Sequence, residues 1–266
     1  MTTIADAADA LARVAPLELA EEWDNVGLLA GDPSAPLQRA MTCLTLTPDV
    51  AQEAIDRRVQ LVVAHHPLPF RPVSKLTVAA AAGETTGDTL WRLAGAGVAV
   101  YSAHTAYDSC VGGVNDQLAQ VFALTDAEPL SSSKIVAGGV GRIGRAAADA
   151  TRQTLTRIAG HDLRAVSLRC VGDPGQPAGR VAIACGSGGS LLDLAIGAGC
   201  DTFLTGEMSF HDCLKARAAG VGVLLLGHFA SEHFAVRRLA EQLATASPGV
   251  ECFASSVETD PLQPAV

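Results

Sequence analysis

Positive charge is scarce in this chain. Nineteen lysines and arginines stand against 28 aspartates and glutamates in 266 residues, leaving a formal net charge of -9. Direct nucleic-acid binding depends on a basic stripe, and no segment carries one, so a nucleic-acid partner is not expected. Long hydrophobic runs are missing as well. The longest, around GVGVLLLG, falls far short of the ~20 apolar residues that span a bilayer. No membrane segment is therefore expected. The N-terminus, MTTIADAADALARVAPLELAEEWDN, has acids early and no basic region before an apolar core, so it does not read as a secretory signal. The seven cysteines are scattered, odd in number and without a Cys-x-x-Cys pair. That argues against a disulfide framework or a cysteine zinc site and for a reducing compartment. Together these absences describe a soluble, cytoplasmic protein. A phosphate loop ending in Gly-Lys-Ser/Thr is also lacking.

What is present is core-forming material: 48% of the residues are hydrophobic and 18% charged. Short apolar runs alternate with helical stretches. AMTCLTL, VQLVVAH and VAVYSAH read as strands, and TPDVAQEAIDRR, TTGDTLWRLAGAG and GVNDQLAQVFAL as helices. Thr47 and Pro48 give the first of these helices a cap and a first-turn proline. The second half repeats the rhythm with strands RVAIACG, CDTFLTGE and VGVLLLGH and helices SLLDLAIGAG, SFHDCLKARAAG and ASEHFAVRRLAEQLA. The tail VECFASSVETDP reads as a last strand. This is the pattern of an α/β protein with buried strands. The Pro, Ser and Gly of LTDAEPLSSSKIVAGGVGRIG mark a boundary near residue 130. The expected organisation is two similar α/β lobes with mixed sheets flanked by helices, 1–130 and 131–266, with the C-terminal tail packing back on the first lobe.

Polar clusters follow the apolar runs. His65 and His66 close LVVAHHP, and Pro67 fixes the loop that would aim both inward. Neutral imidazoles are good ligands for zinc, manganese, iron, nickel or cobalt, while two loop histidines bonded to backbone or water are the ordinary alternative. His104 and Asp108 follow VAVYS, where Asp108 could equally cap the next helix. His228 and Glu232 are four apart at a helix start, so they share a face; a helix-dipole pairing explains them as well. Glu207 and His211 have the same spacing. Glu207 ends a strand and suits a carboxylate that orients a ligand or acts as a base. His161 and His233 lack such context and read as structural or solvated. The stretch EEWDNVGLLAGDP either lines a pocket or forms a turn on a buried tryptophan. GSGGS opens a helix and could hold an anion. Sites in open α/β sheets lie at the carboxyl ends of strands. Three histidines and two carboxylates exceed one tetrahedral zinc and suit two metals.

EEWDNVGL, AHHP, SAHTAYD followed by GGVND, DTFLTGE, GHFASE and SVETDP, in this order along the whole chain, resemble the GTP cyclohydrolase I type 2 homologue family, also called Nif-three-like. The resemblance implies a two-lobed α/β fold with a dinuclear metal centre in the cleft between lobes. It implies that His65 and His66 each bind a metal, Asp108 binds one, His228 binds the other and Glu232 bridges both. His104 would stand close by, orienting a ligand or transferring a proton; in the hydrolase reading Glu207 or His104 shuttles the proton. A toroidal homohexamer is implied too. The family's His-Thr-Asn-Leu-Asp is replaced here by a stretch with Ala106 and Tyr107, which alters the pocket beside the ligands but keeps the ligand positions. The expected function is a metal-dependent hydrolase of a nucleotide-like or other small substrate, of GTP cyclohydrolase type by the resemblance, holding two divalent ions per chain. The alternative is a non-catalytic metal-binding, metal-delivery or regulatory scaffold protein.

Overall fold

The computed structural model describes residues 1–78 and 86–263. The chain divides into two compact units. One comprises Met1–Tyr107 with Ala235–Thr259, the other Asp108–Phe234 with the residues from Asp260. Each is an α/β unit built on a mixed sheet.

The first unit has five strands in the order Gly27–Ala30, Ala99–Ser102, Leu61–Ala64, Arg39–Cys43 and Glu251–Ala254. The first pair is antiparallel and the remaining pairs are parallel. The central runs are apolar throughout because both sheet faces are covered. On one face Met41, Val62 and Val100 pack with Val50 and Ala54 of helix Pro48–Asp56 and Leu93 of helix Thr86–Gly95. Each of the buried valine, leucine and methionine side chains contributes ~1.5–3 kcal/mol. The opposite face receives helix Phe234–Ala246, where the buried Thr42 hydroxyl donates to the Val236 carbonyl at 2.8 Å. Thr47 caps helix Pro48–Asp56 by accepting from the Val50 N–H. In the stretch TTGDTLWRLAGAG, Thr85 lies outside the described residues.

The second unit has six strands in the order Thr125–Glu128, Arg142–Arg145, Arg180–Ser187, Thr202–Glu207, Gly222–Leu225 and Arg169–Val171. Its centre is parallel and its outer pairings are antiparallel. Ala182, Phe203 and Val223 pack with Leu192 and Ala216 from the adjoining helices.

The division falls at residues 107 and 108, and the expected boundary near residue 130 lies inside the second unit. The reason is local. Thr125–Glu128 pairs with Arg142–Arg145, and Ser131–Ser132 pairs with Gly139–Val140. The Ser- and Gly-rich stretch is thus a connection within one sheet. Arg142, 2% exposed, donates to the carbonyls of Gly139, Gly141 and Cys110 and pairs with Asp116. A buried guanidinium needs this many acceptors, and they draw residues from Ser109 to Asp116 into the second unit. At the far end, Glu251–Ala254 runs parallel to Arg39–Cys43 as an edge strand of the first sheet. Among the described residues no helix is long and apolar enough to cross a membrane.

Candidate metal centre

In the first unit, parallel register decides which loops meet. Ala64 stands opposite Ser102, so the residues that follow the two strands emerge side by side. The His65 N–H donates to the Cys43 carbonyl at 2.8 Å, and the His104 N–H to the His65 carbonyl at 3.2 Å. The chain turns sharply there, with His104 at φ +24°, a conformation that costs a non-glycine residue and is typical of functional loops. The result is a cluster of three imidazoles. Ring centroids lie 5.2 Å apart for His65 and His66, 5.4 Å for His65 and His104, and 5.6 Å for His66 and His104. Their ligand atoms all fall within 4.8 Å of one another, a grouping that could hold a metal ion.

Two of these rings are held from behind. His66 Nδ1 meets the Thr45 hydroxyl at 2.7 Å. His104 Nδ1 meets Asp24 Oδ1 at 2.7 Å. A carboxylate can only accept, so Nδ1 of His104 carries the proton and Nε2 has a lone pair to offer. Asp24 also accepts from the Thr105 N–H and hydroxyl. Burial alone would raise its carboxyl pKa, but hydrogen bonds from His104 and Thr105 outweigh it and bring it down to about 2.

The second unit repeats the device. Strand Thr202–Glu207 ends in Glu207, and the chain after Gly222–Leu225 turns through Gly227, φ +86°, into the short helix His228–Glu232. His228 Nδ1 meets Glu207 Oε1 at 2.9 Å, and its Nε2 meets Glu232 Oε2 at 3.1 Å. The Glu232 hydrogen bond raises the His228 pKa; burial opposes it, and the charge of Glu232 and the bond from Glu207 add to it, bringing it to about 9. Glu207 is held low, first by the His228 bond and then by the Ser187 hydroxyl at 2.8 Å. Glu232 is 4% exposed. Asp108 lies near the end of helix His104–Ser109. Its carboxylate and that of Glu232 both act on the buried Cys185 thiol, whose pKa is raised by burial first and then by these two charges.

Gly186 shows how closely this unit is fitted. Its φ is +57°, and a Cβ there would run into the Glu232 carboxylate. The amides of the Gly-rich stretch are engaged by the chain itself: Gly186 N–H donates to Ser231 Oγ and Gly188 N–H to Thr205 Oγ1, both at 3.0 Å. The GSGGS stretch therefore has these two amides turned into the fold, away from an anion.

His211 does not share a face with Glu207. Glu207 ends a strand, whereas His211 lies in a helix capped by Ser209, where its ring packs against Phe210. His233 stacks on Phe229 at 4.3 Å, and burial lowers its pKa. His161 is exposed beside Asp162. Trp23 is 60% exposed, so the EEWDN turn does not rest on a buried tryptophan. The residue of this turn that reaches the imidazole group is Asp24, which in the sequence lies only in an undecided turn. Asp24 and His104 are 80 residues apart, and no local pattern links them.

The chain matches the family described as Duf34/NIF3 (NGG1p interacting factor 3) over residues 2–261. The chain belongs to that family. Among curated relatives, the "GTP cyclohydrolase 1 type 2 homolog" of Lactococcus lactis subsp. lactis is 34% identical, over 92% of this chain and 93% of its own length. The "Protein NIF3 homolog" of Schizosaccharomyces pombe is 33% identical, over 92% of each. The crystal structure of a Bacillus cereus protein related to NIF3 superposes with a TM-score of 0.90 at 20% identity, covering 98% of this chain and 99% of its own. At that identity the likeness shows the α/β fold of the Duf34/NIF3 proteins and nothing finer.

Proposed function

We propose that this Duf34/NIF3 chain holds two divalent metal ions through His65, His66, Asp108, His228 and Glu232, and works as a hydrolase on a nucleotide-like or other small substrate. The observation that carries the reading is the anchoring of the imidazoles. His66 and His228, two of the proposed ligands, have Nδ1 held by a hydroxyl and a carboxylate at 2.7 and 2.9 Å, and His104 beside His66 is held by Asp24 in the same way. Metal-ligating histidines are held this way, because the outer partner fixes the tautomer and the ring plane. The donors are all imidazole or carboxylate, which suits zinc, manganese, iron, nickel or cobalt.

A divalent ion in such a donor set supplies Lewis acidity toward a substrate carbonyl or phosphoryl oxygen. The chain's own residues supply the rest. Glu207 holds the proton on His228 Nδ1, and a metal on Nε2 would take the place of the proton that this nitrogen shares with Glu232. Asp24 keeps a proton on His104 Nδ1 and leaves Nε2 as the nitrogen that takes up or gives up a proton, and we assign His104 to proton transfer together with Glu207. Several curated relatives carry the name GTP cyclohydrolase 1 type 2 homolog, so GTP is the first substrate to assay. A cytoplasmic homohexamer is the assembly that fits the family resemblance, and light scattering on the purified protein tests the stoichiometry.

Elemental analysis decides the metal reading. Wild type should carry close to two ions per chain, and His65→Ala and Glu232→Gln should carry fewer. Turnover of GTP or of another small phosphoester should vanish in Glu232→Gln while the circular dichroism spectrum is unchanged. Wild type that stays metal-free after incubation with manganese or zinc would overturn the proposal. Bound metal without turnover across a broad substrate screen would leave a binding or delivery protein.

A further inference from the structure

Two large aromatic side chains stand beside His104 with their surfaces turned to solvent. Trp23 is 60% exposed and Phe70 43%. Their centroids are 6.0 Å apart at an interplanar angle of 60°. Both meet the His104 ring edge-on, Trp23 at 6.0 Å and Phe70 at 6.5 Å. The pair therefore lies at the rim of the three-imidazole group. Exposed aromatic surface of this extent gains nothing for folding, yet the loops that carry it are braced. Asn25 Nδ2 donates to the Pro69 carbonyl at 2.6 Å, tying the turn of Trp23 to the turn of Phe70. The Glu21 N–H donates to Thr105 Oγ1 at 3.0 Å, and the Thr105 N–H donates to Asp24. Rigid exposed rings next to polar side chains are what a stacking ligand requires.

We propose that Trp23, with Phe70 beside it, is a stacking subsite for a planar heteroaromatic ring of the substrate, next to His104. The proposal rests on the reading of the imidazole group as the functional site. Geometry sets how such a ring binds. A ring sandwiched between two faces needs them ~7 Å apart, twice a van der Waals contact of ~3.5 Å. The two rings here are closer than that and tilted, so the ligand ring lies on the open face of Trp23 and touches Phe70 at an edge. Arg71, its guanidinium 6.0 Å from the centre of the Phe70 ring, and His104 provide polar partners for ring heteroatoms, which disfavours a plain hydrocarbon. A protein partner is the weaker occupant. Two half-exposed rings offer a few hundred Å² at most, below the ~1,200 Å² total of a stable interface.

The test is calorimetric titration of metal-loaded wild type, Trp23→Ala and Trp23→Phe with guanosine, uridine and nicotinamide, with ribose 5-phosphate as the ring-free control. Metal content and light scattering are measured on each protein. The subsite predicts saturable binding of at least one ring compound to wild type, weakened about 5- to 150-fold in Trp23→Ala. It also predicts near-recovery in Trp23→Phe, and metal content and assembly unchanged in both variants. Equal affinity in wild type and Trp23→Ala, or no ring compound binding wild type, overturns the subsite. So does an assembly that falls apart in Trp23→Ala with ring binding intact. Loss of the metal reading shows separately, as wild type that takes up no metal.

Discussion

Replacing Glu53 by glutamine should release the C-terminal tail from the first unit. The buried Glu53 carboxylate accepts from the Ser255 hydroxyl at 2.6 Å, the Ser256 hydroxyl at 2.7 Å and the Ser256 N–H at 3.2 Å. It also meets Arg57 at 3.1 Å. Hydrogen bonds to a charged group contribute about 1 kcal/mol more than neutral ones, and the half-exposed Arg57 pair adds only a few tenths. Three bonds weakened in this way cost about 2–3 kcal/mol. In a chain of this size that lowers the melting temperature by about 4–12 °C. Amide exchange reads the effect locally: residues 252–256 should exchange about 30- to 150-fold faster in Glu53→Gln if they open as a unit. The pH dependence has a fixed sign. Burial would raise the Glu53 pKa, but hydrogen bonds from Ser255 and Ser256 and the Arg57 contact hold it below its ordinary 4.5. A depressed carboxylate pKa stabilises the fold above the unfolded value and loses that contribution as the pH falls. The melting difference between wild type and Glu53→Gln should therefore be constant from pH 8 to 5 and shrink below about 4.5. Unchanged exchange at residues 252–256, or a melting gap that widens in acid, would refute the reasoning.

Two further outcomes concern Glu207 and Glu232. Glu207→Gln removes the charge that fixes the His228 tautomer, so metal affinity measured by chelator competition should fall about 10- to 100-fold with the fold retained; unchanged affinity would mean Glu207 does not position a ligand. Gly186→Ala places a methyl group against Glu232 at φ +57°, so it should lower stability by at least ~1 kcal/mol and reduce bound metal, with Ser187→Ala, which leaves the backbone alone, as the milder control in thermal melts and elemental analysis.

Much of this molecule was legible in the order of its residues. LVVA, AVYS and GVLL are short, mostly apolar runs bounded by turn residues, and burial on both faces of a sheet suits them. Thr47 followed by Pro48 fixed a helix start by local hydrogen bonding. The histidines and carboxylates after those runs stood out because parallel strands deliver their carboxyl ends to one edge, as Ala64 opposite Ser102 shows. The tertiary structure decided what has no local cause. Nothing in SSSKIVAGG distinguishes a linker from a turn inside a sheet until Arg142 finds its acceptors and draws the preceding residues to the second unit. The His-x-x-x-Glu spacing at 228 and 232 produced a contact because both residues lie in one helix, while the same spacing at 207 and 211 did not, because a strand ends between them. Asp24 acquires its role only when its turn is folded against His104, and Trp23 becomes an exposed ring beside that histidine for the same reason. Periodicity and capping act over a few residues and are written in sequence; the pairing of a carboxylate with an imidazole 80 positions away is set by sheet register, which only the folded chain defines.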